Sequence, residues 1–278
     1  MPLTILFFGD IFGRPGREAV GKILPELREQ YHPDFIVANV ENLAHGRGIT
    51  RATMEELERM GAFHAYTGGN HIWDKAEATE LFTSGSMPLV RPLNYARDVP
   101  GTGARVVANG AQRMVVINAL GRVFMKGTEE LTEPFSAIDA VLERYTLDKN
   151  DDEREYVNAI LVDLHAEATS EKRAMGFYLD GRISMFVGTH THVPTRDEQI
   201  LPKGTAYLTD VGMVGPLNSS IGLEVEGIIE QFLENTLTPP KKEVSEYPEV
   251  EVGAVVVRVG ETGLAESIEP IRKIVDIG

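Results

Sequence analysis

Five apolar runs in this chain each end in side chains able to hold a metal ion. Residues 3–9 lead to Asp10, 35–40 to Glu41-Asn42, 62–69 to Asn70-His71, 159–164 to His165, and 183–189 to His190-Thr191-His192. Such runs read as buried strands. Ligands of open α/β sheets bind outside the carboxyl ends of the strands, so the pattern predicts all of these groups on one rim. Gly9, Gly68, Gly69 and Gly188 lie just before them, where a chain must turn sharply or approach a ligand closely. A lone Asp after a strand is more often a helix cap, and a lone His more often a satisfied structural residue. Those readings fail jointly. Four of the seven histidines sit at strand ends, and buried imidazoles beside carboxylates are costly without metal or extensive pairing. With no cysteine in the chain, the donors are nitrogen and oxygen, a set that suits manganese, iron or zinc rather than calcium or magnesium alone. His190 and His192, two apart on a strand, would point the same way. At a bending strand end the two rings can diverge toward two ions.

The elements that must position these groups follow from the hydrophobic spacing. After the strand at 3–8, residues 14–30 carry Val20, Ile23, Leu24 and Leu27 at helical spacing, with Pro15 near the start. A strand at 35–40 follows. Thr50 then opens a helix carrying Met54, Leu57 and Met60, which Gly61 stops. Residues 62–67 read as a third strand, and Asp74 and Glu77 have capping-box spacing ahead of a helix over 78–82. Strands at 105–108 and 114–118 are expected as antiparallel neighbours, 121–133 as a loop, and Ile138, Val141, Leu142 and Tyr145 mark a helix. Further strands are expected at 159–163, 183–187 and 206–210. A helix over 224–235 is ended by Pro239-Pro240-Lys241-Lys242, and 252–259 with 265–274 form a terminal hairpin. A β-α-β-α opening implies a parallel sheet covered by helices. The later short connections imply a second, mixed sheet. The expected architecture is a single α/β domain over 1–278, two packed sheets with helices outside.

Composition bounds the partners. With 278 residues, 42% hydrophobic and 25% charged, the chain buries most of its unfolded surface without staples. A net charge of −15 repels nucleic-acid polymers, so no stable nucleic-acid binding is expected. It leaves a small anionic substrate open where metal ions dominate locally. The first apolar run lacks a basic leader and ends at Gly9-Asp10, and no run approaches the length of a membrane span. A cytoplasmic address without a membrane partner is expected, and a homo-oligomer is compatible.

Gly69-Asn70-His71 resembles the Gly-Asn-His block of the calcineurin-like metallophosphoesterase superfamily. Gly188-Thr189-His190-Thr191-His192 resembles its Gly-His-x-His block with one residue inserted, and Phe8-Gly9-Asp10 its opening Gly-Asp. Longer stretches resemble the bacterial YmdB-like branch: Gly9-Asp10-Ile11-Phe12-Gly13-Arg14-Pro15-Gly16-Arg17, Glu41-Asn42-Leu43-Ala44-His45-Gly46, Asp163-Leu164-His165-Ala166-Glu167-Ala168-Thr169-Ser170-Glu171-Lys172 and Leu201-Pro202-Lys203-Gly204-Thr205-Ala206-Tyr207. The similarity covers residues 3–220. The superfamily usually opens Asp-x-His, and Phe12 stands where that histidine would be. Glu41 replaces the bridging Asp, and Asn42 could supply the missing ligand through its amide oxygen. Both changes resemble the YmdB-like branch. Ile72 takes the place of the usual acidic residue after Gly-Asn-His, which leaves Asp74 to orient His71 or to cap a helix.

The resemblance implies a four-layer α/β/β/α sandwich of two mixed sheets flanked by helices, the metallophosphoesterase fold. It implies two divalent or mixed-valence metal ions, iron or manganese favoured and zinc possible. The first takes Asp10, Glu41, Asn42 and His192; the second takes Glu41, Asn70, His165 and His190; Glu41 bridges. The implied function is a phosphodiesterase of small phosphodiesters, 2′,3′-cyclic nucleotides favoured, with a hydroxide held between the ions as nucleophile. His71, not needed as a ligand, becomes the general acid for the leaving oxygen. His45, Arg14 and Lys172 are candidate substrate contacts; for the two cations, as for Arg47 and Arg122, a solvated surface role is the alternative. Phe12 and Trp73 either stack on a base or pack internally, and 121–133 could form a lid. Two other functions compete: a metal-dependent phosphomonoesterase, and a regulatory metal-binding protein acting through partners.

Overall fold

The computed structural model describes residues 2–125, 127–128, 130–234, 244–245 and 247–278. Strands Leu3–Phe8, Phe35–Asn39, Ala65–Thr67 and Leu89–Val90 pair in parallel in that order. Helices Gly13–Tyr31, Arg51–Glu58 and Glu77–Ser84 connect them and bury Val20, Ile23, Leu24, Leu27, Met54 and Leu57 against the sheet. A capping box forms at Thr50 and Thr53. The spacing of Asp74 and Glu77 does not make one. Helix Glu77–Ser84 starts at Ala76 without a side-chain cap, and Asp74 instead meets His71.

The terminal hairpin, Glu249–Val259 with Ala265–Asp276, turns this first sheet into a mixed one. Its first strand lies antiparallel beside Leu3–Phe8. The start of the same strand pairs with Met213–Pro216, which pairs in turn with the two-residue strand Asp10–Ile11. This short ladder, invisible to hydrophobic spacing, fixes the chain at Asp10.

The second sheet has the order Gln199–Ile200, Ala206–Leu208, Met185–Thr189, Ala159–His165, Gln112–Leu120, Ala104–Asn109. Its four central strands are parallel and its edges antiparallel. Helices Pro134–Leu142 and Thr169–Leu179 cover it. The second of these escapes a periodicity reading, because two positions of its buried face are Lys172 and Gly176. A Cβ at Gly176 would run into the ring of Tyr207. Helix Val225–Leu233 falls within the expected 224–235; Asn235 and the expected stop at 239–242 lie outside the described residues.

Strand alternation builds the layers. Ile5, Phe7, Phe35 and Val37 of one sheet meet Met114, Val116, Leu161, Met185 and Val187 of the other in an inner core. Leu6, Phe8, Ile36 and Ala38 face the first helical layer, and Val115, Ile117, Ile160 and Val162 the second. The result is the expected four-layer α/β/β/α sandwich. Toward the carboxyl ends of the strands the inward positions turn polar, with Asn39, Thr67, Asn118, Asp163 and Thr189 all buried. Among the described residues no helix is long and apolar enough to cross a membrane. Leu161, fully buried between the sheets, measures the inner layer: Leu161→Ala is expected to cost about 2–5 kcal/mol in a urea titration, and a negligible cost would contradict a close-packed inner core.

Candidate dinuclear metal site

Both sheets deliver their strand ends to one point. Two groups of ligand atoms form there, Glu41 with His165 and His190, and Asp10 with Glu41 and His192, each with its atoms within 4.8 Å of one another. Glu41 is common to both. His165 Nε2 lies 3.1 Å from Glu41 Oε1 and 3.0 Å from both Asn70 Oδ1 and His190 Nδ1. One ring nitrogen cannot serve three such partners with a single proton or lone pair. Asn42 turns its amide nitrogen to Gly46 O at 2.9 Å, which leaves Oδ1 for the site. Asp10 Oδ1, Glu41 Oε1 and Asn42 Oδ1 are buried and make no well-directed hydrogen bond among the described residues. Three desolvated acceptor oxygens that lack a well-directed donor are expensive unless a cation meets them. The residues fit a pair of metal ions.

Local structure explains how these side chains are held. His190 and His192 have φ of 101° and 66°, a left-handed backbone that non-glycine residues adopt only when their surroundings impose it. Asp210 imposes it here. Its carboxylate accepts from Thr191 N at 3.2 Å and Gly212 N at 2.9 Å, and pairs with Lys172 Nζ at 2.6 Å. His190 N also donates to Asp10 Oδ2 at 3.2 Å. Gly69 is required by space: a Cβ there would collide with Glu41 Oε2 and His165 Nε2.

Second partners select the ring nitrogens. His192 Nδ1 lies 3.0 Å from Ile221 O, a carbonyl that can only accept, so Nδ1 carries the proton and Nε2 is the nitrogen left to meet an ion. His190 Nε2 meets Glu167 Oε2 at 3.2 Å, which turns Nδ1 toward the cluster. The electrostatics express a demand for positive charge. Burial raises the Asp10 carboxyl above its ordinary range against the pull of His165 and His192. Burial works the same way on Glu41, but the His165 and His71 interactions outweigh it and hold that carboxyl at about 2. Burial disfavours charge on His165, yet Glu41 and Asp10 overcome it and raise the imidazole to about 9. His190 is pushed down to about 3 by burial and by His165, which keeps it in the neutral form that binds metal.

His71 stands beside the cluster. Its backbone N donates to Glu41 Oε2 at 2.8 Å, and its Nδ1 lies 2.9 Å from Asp74 Oδ2. Asp74 is thus the orienting group and not a helix cap, and Nε2 is the nitrogen left for the adjoining cavity of about 370 Å³. His71, His45, Arg47, Glu167, Phe12 and Ile221 line that cavity with the ligands.

Of the expected substrate contacts, His45 is on the cavity wall, Lys172 is corrected, and Arg14 is not among the residues of the wall. Lys172 is fully buried and committed to Asp210, so it cannot reach a substrate. Arg14 lies outside the cavity wall, 3.5 Å from Glu18 on an exposed helix face. Phe12 is wedged between Gly46, Gly222 and the edge of His192, 5.4 Å between ring centres, and Trp73 packs on Phe82 at 4.8 Å. Trp73 is a packing residue, while Phe12 packs internally and also borders the cavity. In the 121–133 segment, Arg122 N and Val123 N are tied to the Glu171 carboxylate at 2.9 and 3.3 Å. Arg47 enters the site where a surface role was the alternative. Glu167 escaped sequence reasoning; its place two residues after His165 was the one signal.

A family model described as YmdB-like protein matches residues 6–271. The 2′,3′-cyclic-nucleotide 2′-phosphodiesterase of Bacillus subtilis strain 168 is 42% identical over 269 residues, covering 97% of this chain and 96% of the relative. The crystal structure of a hypothetical protein from Thermus thermophilus superposes with a TM-score of 0.85 at 40% identity, over 98% of this chain and 100% of that one. A novel phosphatase from Mycoplasma pneumoniae gives a TM-score of 0.87 at 32% identity, over 99% of this chain and 95% of its own. Gly69→Ala tests the packing at the cluster: manganese affinity, followed by calorimetric titration, is expected to fall at least about tenfold while the circular dichroism is kept. Unchanged affinity would contradict the contact of Gly69 with both ligands.

Proposed function

This chain belongs to the YmdB-like protein family of the calcineurin-like metallophosphoesterases, and we propose that it is a dinuclear-metal phosphodiesterase of small phosphodiesters, 2′,3′-cyclic nucleotides foremost. The observation that carries this reading is Glu41, shared by two ligand groups with His71 hydrogen-bonded to its carboxylate. Asp10, Glu41, Asn42 and His192 would hold the first ion, and Glu41, Asn70, His165 and His190 the second. Iron or manganese suits this nitrogen and oxygen set, with zinc as the alternative. When bound, two such ions supply an activated water and neutralise charge developing on the phosphoryl oxygens. The Bacillus relative, named for the 2′-ester of 2′,3′-cyclic nucleotides, supports the choice of substrate.

The chain's own groups account for the rest. Hydrolysis adds water across one ester bond. The water oxygen stays on phosphorus, the bond to the ribose 2′ oxygen breaks, and that oxygen needs a proton. His71 Nε2 supplies it, with Asp74 on Nδ1 holding the ring and pairing with its protonated form. The ring regains its proton from the one that the water releases. His45 and Arg47, both on the cavity wall, meet the phosphate oxygens not engaged in the reaction, and the planar Arg47 guanidinium suits two of them at once.

Manganese-loaded protein is expected to convert 2′,3′-cyclic AMP to 3′-AMP, and to prefer bis-p-nitrophenyl phosphate over p-nitrophenyl phosphate. Preference for the monoester would overturn the diesterase reading. In the same assay His71→Ala should lower kcat by about 10²–10⁴ with KM little changed. Full activity of that variant would remove His71 from the role of acid.

A further inference from the structure

We propose that Asp163, acting through the hydroxyl of Thr189, is a positioning residue that fixes the proton of His165 on Nδ1 and so presents Nε2 to the second ion. Neither residue belongs to the ligand set, and the proposal rests on the metal-dependent reading above. Asp163 and His165 are two apart on strand Ala159–His165 and so face the same way, into the seam between the sheets. Both are fully buried. Asp163 Oδ1 lies 2.7 Å from Thr189 Oγ1, and the same Oγ1 lies 2.9 Å from His165 Nδ1. A carboxylate can only accept, and a hydroxyl has one proton to give. Once that proton is spent on Asp163, Thr189 can only accept from His165, so the ring carries its proton on Nδ1. The other nitrogen, Nε2, is the one that meets Glu41, Asn70 and His190.

The other oxygen of Asp163 ties the same carboxylate to the first sheet. Oδ2 accepts from Thr67 Oγ1 at 2.6 Å and from Asn39 Nδ2 at 3.1 Å. Asn39 Nδ2 also donates to Gly68 O at 2.9 Å, and Asn39 Oδ1 accepts from Glu41 N at 3.1 Å. Asn118 bridges Gly68 N and Asp163 O, each at 3.2 Å. One buried carboxylate therefore connects the strand ends that carry Glu41 and Asn70 in the first sheet to the one that carries His165 in the second. Carboxylates that orient metal-bound histidines usually touch the ring directly; here a threonine from the neighbouring strand is interposed.

The experiment uses zinc as the probe, on wild type, Thr189→Val and Thr189→Ser, with chelator competition to resolve two affinities per chain and ¹⁵N spectra of the zinc-loaded imidazoles. Thr189→Val keeps the side-chain volume and removes the hydroxyl. It is expected to weaken one of the two zinc affinities about 10–100-fold and leave the other unchanged, and Thr189→Ser to restore it. The wild-type spectrum should show His165 protonated on Nδ1 with zinc on Nε2. Packing alone would not favour one ion over the other, nor set a ring proton. Two wild-type affinities in Thr189→Val, or zinc on Nδ1 of His165, would overturn the proposal. The wild-type spectrum alone decides the ring assignment should the valine variant not fold. Wild-type protein that takes up no zinc would instead contradict the metal-dependent reading, and the proposal with it.

Discussion

Two carboxylates, Asp10 and Glu41, are buried side by side at the strand ends. Two buried negative charges at such range cannot stand without compensation, and the chain as a whole, at −15, offers no general positive field. The remaining donors at the rim are three imidazoles and two amides, neutral groups that add no charge of their own unless protonated. The positive charge is therefore local, and His165, raised to about 9 by these carboxylates, shows how strongly the site asks for it. A divalent ion answers the same demand with more charge and several ligands at once.

The sandwich makes this concentration of groups possible. In each sheet the inward positions run from apolar residues, through the buried polar layer of Asn39, Thr67, Asn118, Asp163 and Thr189, to the ligands beyond the strand ends. The polar layer spares the ligands an abrupt junction with hydrocarbon and holds their backbone by hydrogen bonds that cross between the sheets. His190 and His192 are among the non-glycine residues with a left-handed backbone, and the fully buried Lys172–Asp210 pair braces the turn between them. A rigid rim of this kind places donors with little reorganisation when an anionic substrate arrives.

The alternation of strands and helices, and the polar residues ending the strands, were legible in the sequence because both express a periodicity that burial dictates. Two groups of potential ligand atoms meet at Glu41; which ion each donor would hold was implied by the family resemblance, because the strand ends alone could not divide them. What stayed hidden was set by partners distant in sequence. Lys172 looked like a cation free for phosphate, and its partner Asp210 is 38 residues away. Asp74, three residues from His71, is a different case: both of its roles were legible, and the contact with His71 chooses between them. The ladder of Asp10–Ile11 with Met213–Pro216 joins segments far apart in the chain. Helix Thr169–Leu179 was masked by the buried lysine that anchors the histidine turn, a case where the requirements of the site override local pattern.

The central claim is that Glu41 joins two metal ions into one reactive centre. Anomalous diffraction from manganese-soaked crystals tests it most directly. The account predicts two peaks about 3.5–4 Å apart, one on each side of the Glu41 carboxylate, the first against Asp10 and His192 and the second against His165 and His190. A single peak, or two peaks that do not share Glu41, would contradict it.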